Sequence, residues 1–398
     1  MLRLAMKMLV GDRAKYVGLL FGITFTSFLV TFAGSYFCGF MTRGFAVIAE
    51  NPAADVWVMD SALESTELTI NIPDSALARV RSVRGVLFAT PLALASVDAR
   101  FPNGRFQSFQ LVGVDDATLF GLPPLRDGAS PMVLRTPDAV VVDPGGTDGK
   151  LETPVSTADQ WSYGPPHLNV PTRELGPGDQ LLVNFHRVVV RARSKALPRY
   201  PPRPLMYTTL SNASRILLPE RHLLTFVLAK AVPGVAPRAL AARIEAQTGL
   251  KSRSAEDFKA DTVNWFLVNS EDVGDIAAML SLAMSVGFGV TGVMLYMFTN
   301  ESLKQYAVLK AMGANSRLLL GMIFVQSGLC AMLGTGLGLG LCAIIGKIAI
   351  LEFDYPFRMM WFTPVFAGLM VLLVSVVAAL ISARPVLKLE PGMVFAGR

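Results

Sequence analysis

A chain of 398 residues in which 52% are hydrophobic and only 17% charged, with a mean hydropathy of +0.46, is too apolar for a soluble enzyme. Its net charge of +6 would suit a nucleic-acid partner if the charge were spread over a folded surface. Instead, residues 1–15, 301–317 and 384–398 hold ten Lys/Arg against three acids, while 41–275 holds 24 basic and 25 acidic residues. An excess confined to one side of a set of apolar runs reports membrane topology and excludes nucleic acid.

The first 15 residues place Leu2, Ala5, Met8 and Leu9 on one helical face and Arg3 and Lys7 elsewhere. That pattern predicts a short amphipathic helix at the inner interface, with a disordered start as the alternative. Four charge-free runs follow, at 16–40, 276–300, 318–346 and 359–383. Each carries about 20 or more apolar residues, enough to cross a hydrocarbon core of roughly 30 Å. Gly39-Phe40-Met41 makes a poor cleavage site, so the first run reads as a retained anchor. An even number of spans with the basic segments inside puts both termini in the cytoplasm and 41–275 outside.

Within 41–275, Ala54 to Met59 predicts a strand and Asp74 to Val80 a helix. Strands follow at 86–90, 92–98, 107–114 and 139–143, bounded by Gly, Pro and Asn. The Pro-rich stretch 144–204 predicts loops around one strand at 180–193. A strand at 224–231 and a helix at 237–248 complete a mixed α/β domain of two interwoven subdomains. Ser254-Ala255-Glu256-Asp257 has the form of a helix start, and the proline-free run beyond it predicts one helix continuing into the second span. The fold class is thus an α-helical membrane protein with four transmembrane helices and a large mixed α/β extracytoplasmic domain between the first two. The predicted boundaries are 1–15, 16–40, 41–275, 276–300, 301–317, 318–346, 347–358, 359–383 and 384–398.

Residues that could carry chemistry are sparse. Cys38, Cys330 and Cys342 fall inside spans, so the outer domain has no disulfides. Gly149-Lys150 and Gly346-Lys347 lack the following Ser/Thr of a phosphate-binding loop. His167, His186 and His222 are too scattered for a metal site, and no G-x-S-x-G or H-E-x-x-H occurs. Charge-free spans also disfavour an ion or proton carrier. The expectation is a chain without catalytic, metal or cofactor residues. Gly18 with Gly22, Gly334 with Gly338 and Gly336 with Gly340 recur at helix-packing spacing and fit intrachain and dimer contacts equally well.

The basic segment 301–317 is helix-forming up to Gly313, and Asn315-Ser316 offer a cap for the next span. Tyr306, Leu309 and Gly313 can share a face, with Lys304 and Lys310 nearby. The residues alone fit an interfacial helix and a docking helix equally.

Gln305-Tyr306-Ala307-Val308-Leu309-Lys310-Ala311-Met312-Gly313-Ala314 resembles the signature after the second span of MacB/FtsX-type ABC transporter permeases. Asn51-Pro52-Ala53-Ala54-Asp55-Val56-Trp57-Val58 resembles the segment after the first span in the DevC-like branch. The start through Leu20-Phe21-Gly22-Ile23-Thr24 and the end from Arg384-Pro385 to Phe395 resemble the family's termini.

The resemblance implies a bacterial inner-membrane permease that dimerises with itself or a second permease and pairs with a separate cytoplasmic ABC ATPase, which holds the ATP and Mg. Leu303, Lys304, Tyr306, Leu309, Lys310 and Gly313 would form the coupling helix. Nucleotide-driven motion would reach the periplasmic domain by mechanotransmission, for efflux or extraction of a lipophilic or envelope substrate from membrane lipid. A periplasmic membrane-fusion protein and an outer-membrane channel are further implied partners. The alternatives are an FtsX-like signalling protein regulating a periplasmic enzyme and a membrane-anchored enzyme with catalysis in 41–275.

Overall fold

The computed structural model describes residues 13–147, 150–155, 171–217 and 224–387. The amphipathic start predicted within 1–10, much of the Pro-rich stretch and the C-terminal residues lie outside them. In chain order, α1 (Arg13–Gly44) and a single turn α2 (Ala46–Ala49) precede β1 (Val56–Met59), α3 (Ser75–Arg81), β2 (Val86–Arg100), β3 (Phe106–Val114) and β4 (Ala139–Asp143). Next come β5 (Glu152–Pro154), β6 (Thr172–Glu174), β7 (Gln180–Val183), β8 (His186–Arg193), β9 (Leu205–Thr209) and α4 (Leu210–Ile216). Then follow β10 (Phe226–Ala231), α5 (Pro237–Thr248), β11 (Lys251–Ser254) and α6 (Ala255–Asn269). Finally come α7 (Glu271–Glu301), α8 (Leu303–Ala311), α9 (Ser316–Phe353) and α10 (Phe362–Leu387). Contacts divide it into two units, one drawn from Met1–Phe40 and Glu271–Arg398 and the other from Met41–Ser270.

In the second unit, β11, β1, β10 and the first half of β2 form an antiparallel sheet in that order. Helix α3 joins β1 to β2, and α5 joins β10 to β11. This is the β-α-β-β-α-β pattern of a ferredoxin-like sheet, with everything from β3 to β9 inserted between its second and third strands. Strand β1 is buried on both faces because the alternation of its side chains serves two cores. Val56 and Val58 pack against Ala76, Val80, Leu240 and Ile244 on the α3/α5 side. Trp57 points the other way, its ring edge-on to Phe226 at 5.2 Å and tilted against Phe258 at 5.7 Å.

The insertion curls into a closed ring of six strands. The order β2-β3-β9-β4-β8-β7 returns to β2 through Ala99↔Val183 and Arg100↔Leu182. Closure removes exposed edges, and the interior is filled by Val97, Phe109, Leu111, Val140, Val190 and Met206 among others.

Two strand expectations need correction. The strands predicted at 86–90 and 92–98 are one 15-residue strand, β2. Pro91 does not break it because the proline stands where β2 changes partner: Pro91 faces Val227 of β10, and pairing with β3 begins at Leu92↔Val114. A proline lacking an amide donor is tolerated at such a margin. Conversely, the strand predicted at 180–193 is a hairpin of β7 and β8, with Asn184 (φ 46°) and Phe185 (φ 67°) both left-handed at its turn. Two successive positive φ values are what a two-residue type I′ hairpin requires.

Among the described residues, four helices are long and apolar enough to cross a bilayer, Tyr16–Gly44, Glu271–Glu301, Ser316–Phe353 and Phe362–Val386. The protein is therefore a multi-pass membrane protein with a large mixed α/β domain. The helix predicted to run unbroken from Ser254 into the second span is interrupted. Ser254 does cap α6, accepting from Asp257 N–H at 3.2 Å, but Ser270 is extended (φ −94°, ψ 125°) and α7 starts afresh at Glu271.

Candidate docking helix between the second and third spans

Helix α8 is short, and its ends are set by local chemistry. At its C-terminus Gly313 has φ +95°. Its N–H bonds to the Lys310 carbonyl at 3.0 Å, and Ala314 N–H reaches back to the Leu309 carbonyl at 3.0 Å. This pair of bonds with a left-handed glycine is a Schellman motif, written in the sequence as Leu309-Lys310-Ala311-Met312-Gly313-Ala314. Asn315 is extended (ψ 148°) and starts α9. The tight reversal leaves α8 between two spanning helices with a connection of only a few residues.

The inner face of α8 is fixed by Tyr306 and Ala307, both fully buried. Tyr306 joins a core with Leu295, Phe298, Leu319 and Ile323, and Leu303 and Leu309 pack against its edge. The phenol donates to Gln326 Oε1 of α9 at 3.0 Å. Burial pushes the Tyr306 phenol up to about 12 against the opposing pull of Gln326, so it is a neutral donor throughout the ordinary pH range.

The six candidate residues therefore have different surroundings. Tyr306 faces inward, Leu303, Leu309 and Lys310 are half-buried, and Lys304 and Gly313 are exposed. The outer surface is completed by Gln305, Val308 and Met312, with Val308 45% and Met312 71% exposed. Lys304, Val308 and Met312 stand at i, i+4 and i+8, one stripe of a helix. Sequence reasoning missed Val308 and Met312 because it grouped residues around Tyr306. The available signal was that a second apolar series, offset from Tyr306, ran along the same short helix.

Gly18, Gly22, Gly334 and Gly338 lie at helix–helix contacts inside one chain, whereas a Cβ on Gly336 or Gly340 would meet nothing within 4 Å. A Cβ on Gly22 would sit 2.9 Å from Val290 Cγ1 of α7, and one on Gly18 3.5 Å from Met294 Sδ. A Cβ on Gly334 would lie 2.6 Å from Ile23 Cγ2, and one on Gly338 2.7 Å from the Thr24 carbonyl oxygen, both on α1. Ser27 of α1 donates to the Thr335 carbonyl at 3.3 Å, and Ser327 of α9 to the Ser375 carbonyl at 3.2 Å. Small residues that admit a neighbouring backbone and hydroxyls that bond across helices hold together bundles with little hydrophobic drive of their own. Among the described residues, no group of three or more His, Cys, Asp or Glu is arranged to hold a metal ion.

Residues 277–391 match the family described as FtsX-like permease C-terminal. Among solved structures, the extracellular domain of the noncanonical ABC-type transporter YknZ from Gram-positive bacteria aligns at 13% identity over 50% of this chain and 98% of its own, with a TM-score of 0.33. The periplasmic region of MacB from Actinobacillus actinomycetemcomitans aligns at 14% identity over 55% of this chain and 94% of its own, with a TM-score of 0.34. Likenesses at that level establish no shared fold by themselves. No curated protein matches the chain significantly. The stretch 277–391 contains α8 with most of the spans on either side of it, and through that stretch the chain is a homologue of the FtsX-like permeases.

Proposed function

We propose that the chain is the membrane-spanning permease subunit of an ATP-driven transporter, carrying no ATPase site of its own and coupled to a separate cytoplasmic ATP-hydrolysing subunit. The observation that carries this reading is the two-sidedness of α8. Its inner face is anchored by Tyr306 to α9, and its outer face offers Lys304, Gln305, Val308 and Met312 to solvent. A bare interfacial loop needs neither a buried tyrosine bond nor a Schellman stop. A helix that receives force from a partner needs both, because force must pass from its outer face to the spans behind it.

In this reading 301–317 and both termini are cytoplasmic, and the α/β domain is periplasmic. Motion received at α8 passes to α7 and α9 and so to the outer domain, which handles a lipophilic or envelope substrate. The chain works as a homodimer or heterodimer. A tagged chain extracted gently from its native membrane would be probed for a co-purifying nucleotide-binding subunit. Val308→Asp should abolish co-purification while leaving membrane insertion intact; retention of the subunit by both Val308→Asp and Met312→Asp would remove α8 as the docking element.

A further inference from the structure

The outer domain has a cleft between β11 and α6. About 350 Å³ is walled by Lys251 and Arg253 of the strand, Asp261, Asn264 and Trp265 of the helix, and Glu64. The charges balance, two cations against two acids, but they are not all engaged with one another. Arg253 is held by Asp261 (Nε–Oδ2 3.0 Å) and faces Glu245 at 3.8 Å. Lys251 Nζ donates to the Leu63 carbonyl at 2.7 Å, which leaves two of its hydrogens. Among the described residues, the Glu64 carboxylate and the Asn264 amide bond to nothing. Trp265 is steadied edge-on against Phe266 at 5.3 Å.

The rim differs from the floor. Val268 also lines the cleft and is 83% exposed, and its neighbour Leu267 is 45% exposed. Both lie within four residues of Glu271, where the second candidate span begins.

We propose that this cleft binds the head of a zwitterionic amphiphile, one molecule carrying a primary ammonium and a phosphodiester. The ammonium is received by Glu64 and the Asn264 carbonyl beside the Trp265 ring. The phosphate is received by the free hydrogens of Lys251. The apolar part of the ligand lies on Leu267 and Val268. A simple anion would leave Glu64 repelling it, and a simple cation would do the same with Lys251. The balanced lining fits a ligand that brings both charges, and the apolar rim fits one that also brings a hydrocarbon portion.

The full chain in a non-ionic detergent would be titrated with lysophosphatidylethanolamine, lysophosphatidylglycerol and soluble glycerophosphoethanolamine. The readout is the tryptophan emission lost in Trp265→Phe. The expected result is about tenfold tighter binding of the ethanolamine lipid than of the glycerol lipid. Glu64→Gln should erase that preference, Lys251→Gln should weaken both lipids, and glycerophosphoethanolamine should bind more weakly than its lipid. Glu64 is exposed, so its variant keeps the fold, checked by an unchanged unfolding midpoint. Equal affinity for the two lipids, or a preference that survives Glu64→Gln, would overturn the proposal. Glycerophosphoethanolamine binding as tightly as the lipid would overturn the role given to Leu267 and Val268. The assay needs no ATPase, so its failure leaves the permease reading standing.

Discussion

The Tyr306 hydroxyl and Gln326 Oε1 lie 3.0 Å apart across α8 and α9, both side chains buried. The bond ties a nine-residue helix to a spanning helix at a point where neither group meets water. Tyr306→Phe keeps the ring in its core and removes only the donor. A single side-chain bond between membrane helices is worth about 0.6–2 kcal/mol, so the variant should fold with a small loss of thermal stability in detergent. Its effect on transport should exceed that loss, since α8 is then held to α9 by packing alone. Transport unchanged in Tyr306→Phe would show that the bond has no part in coupling.

Gly334 and Gly336 are two residues apart on α9 and face different surroundings. Gly334 abuts Ile23 and Thr24 of α1, whereas a Cβ at Gly336 would meet nothing within 4 Å. Gly334→Leu should separate α1 from α9 and lower the unfolding midpoint, with a cost of about 1–3 kcal/mol from overpacking. Gly336→Leu should leave the stability of the single chain unchanged. Equal effects of the two, measured by thermal unfolding in detergent, would place the packing seam elsewhere.

In the outer domain, Arg199 and Glu50 form an almost wholly buried ion pair at 2.5 Å. Glu50 also accepts from Leu197 N–H at 2.6 Å and from Tyr207 at 3.3 Å. Burial pushes the Tyr207 phenol well above its ordinary value, so it remains a donor. Arg199→Met strands a buried carboxylate, which costs about 3–5 kcal/mol. Adding Glu50→Gln should recover much of the loss. A double variant no more stable than Arg199→Met would contradict this account of the pair.

Glu67, paired with Arg203, has its carboxyl raised above the ordinary value of 4.5, chiefly by burial, with Arg203 opposing. The folded state therefore holds a proton that the unfolded chain has lost in a window opening near 4.5 and extending upward. In that window the unfolded state binds fewer protons, so the Glu67 contribution to stability falls as pH rises. Glu67→Gln should reduce the fall in unfolding midpoint between pH 4.5 and 7. A steeper fall in the variant would reverse the assigned sign.

The four spans, the α/β character of the outer domain and the helix at 237–248 were readable because composition and period carry them directly. The Schellman stop was readable because Gly313 is the residue that such a turn needs. Pro91 misled because its tolerance depends on which strand lies alongside, a tertiary fact. The β7–β8 turn was missed because Phe185, unlike glycine, gives no sign of a positive φ. The Ser270 break was missed because an extended serine leaves no mark in a proline-free run. On α8, the signature around Tyr306 drew attention to the residue that is most buried. The exposed stripe through Val308 and Met312 could be assigned only once the buried face was known.

The most direct test of the coupling reading is site-specific cross-linking from Met312. The three native cysteines are all buried, so Met312→Cys places an accessible thiol on α8. Labelled with a short photoreactive group in native membranes, it should yield an adduct with a nucleotide-binding subunit, lost when Val308→Asp is added. Adducts with lipid alone, in membranes where that subunit is present, would contradict α8 as the docking element.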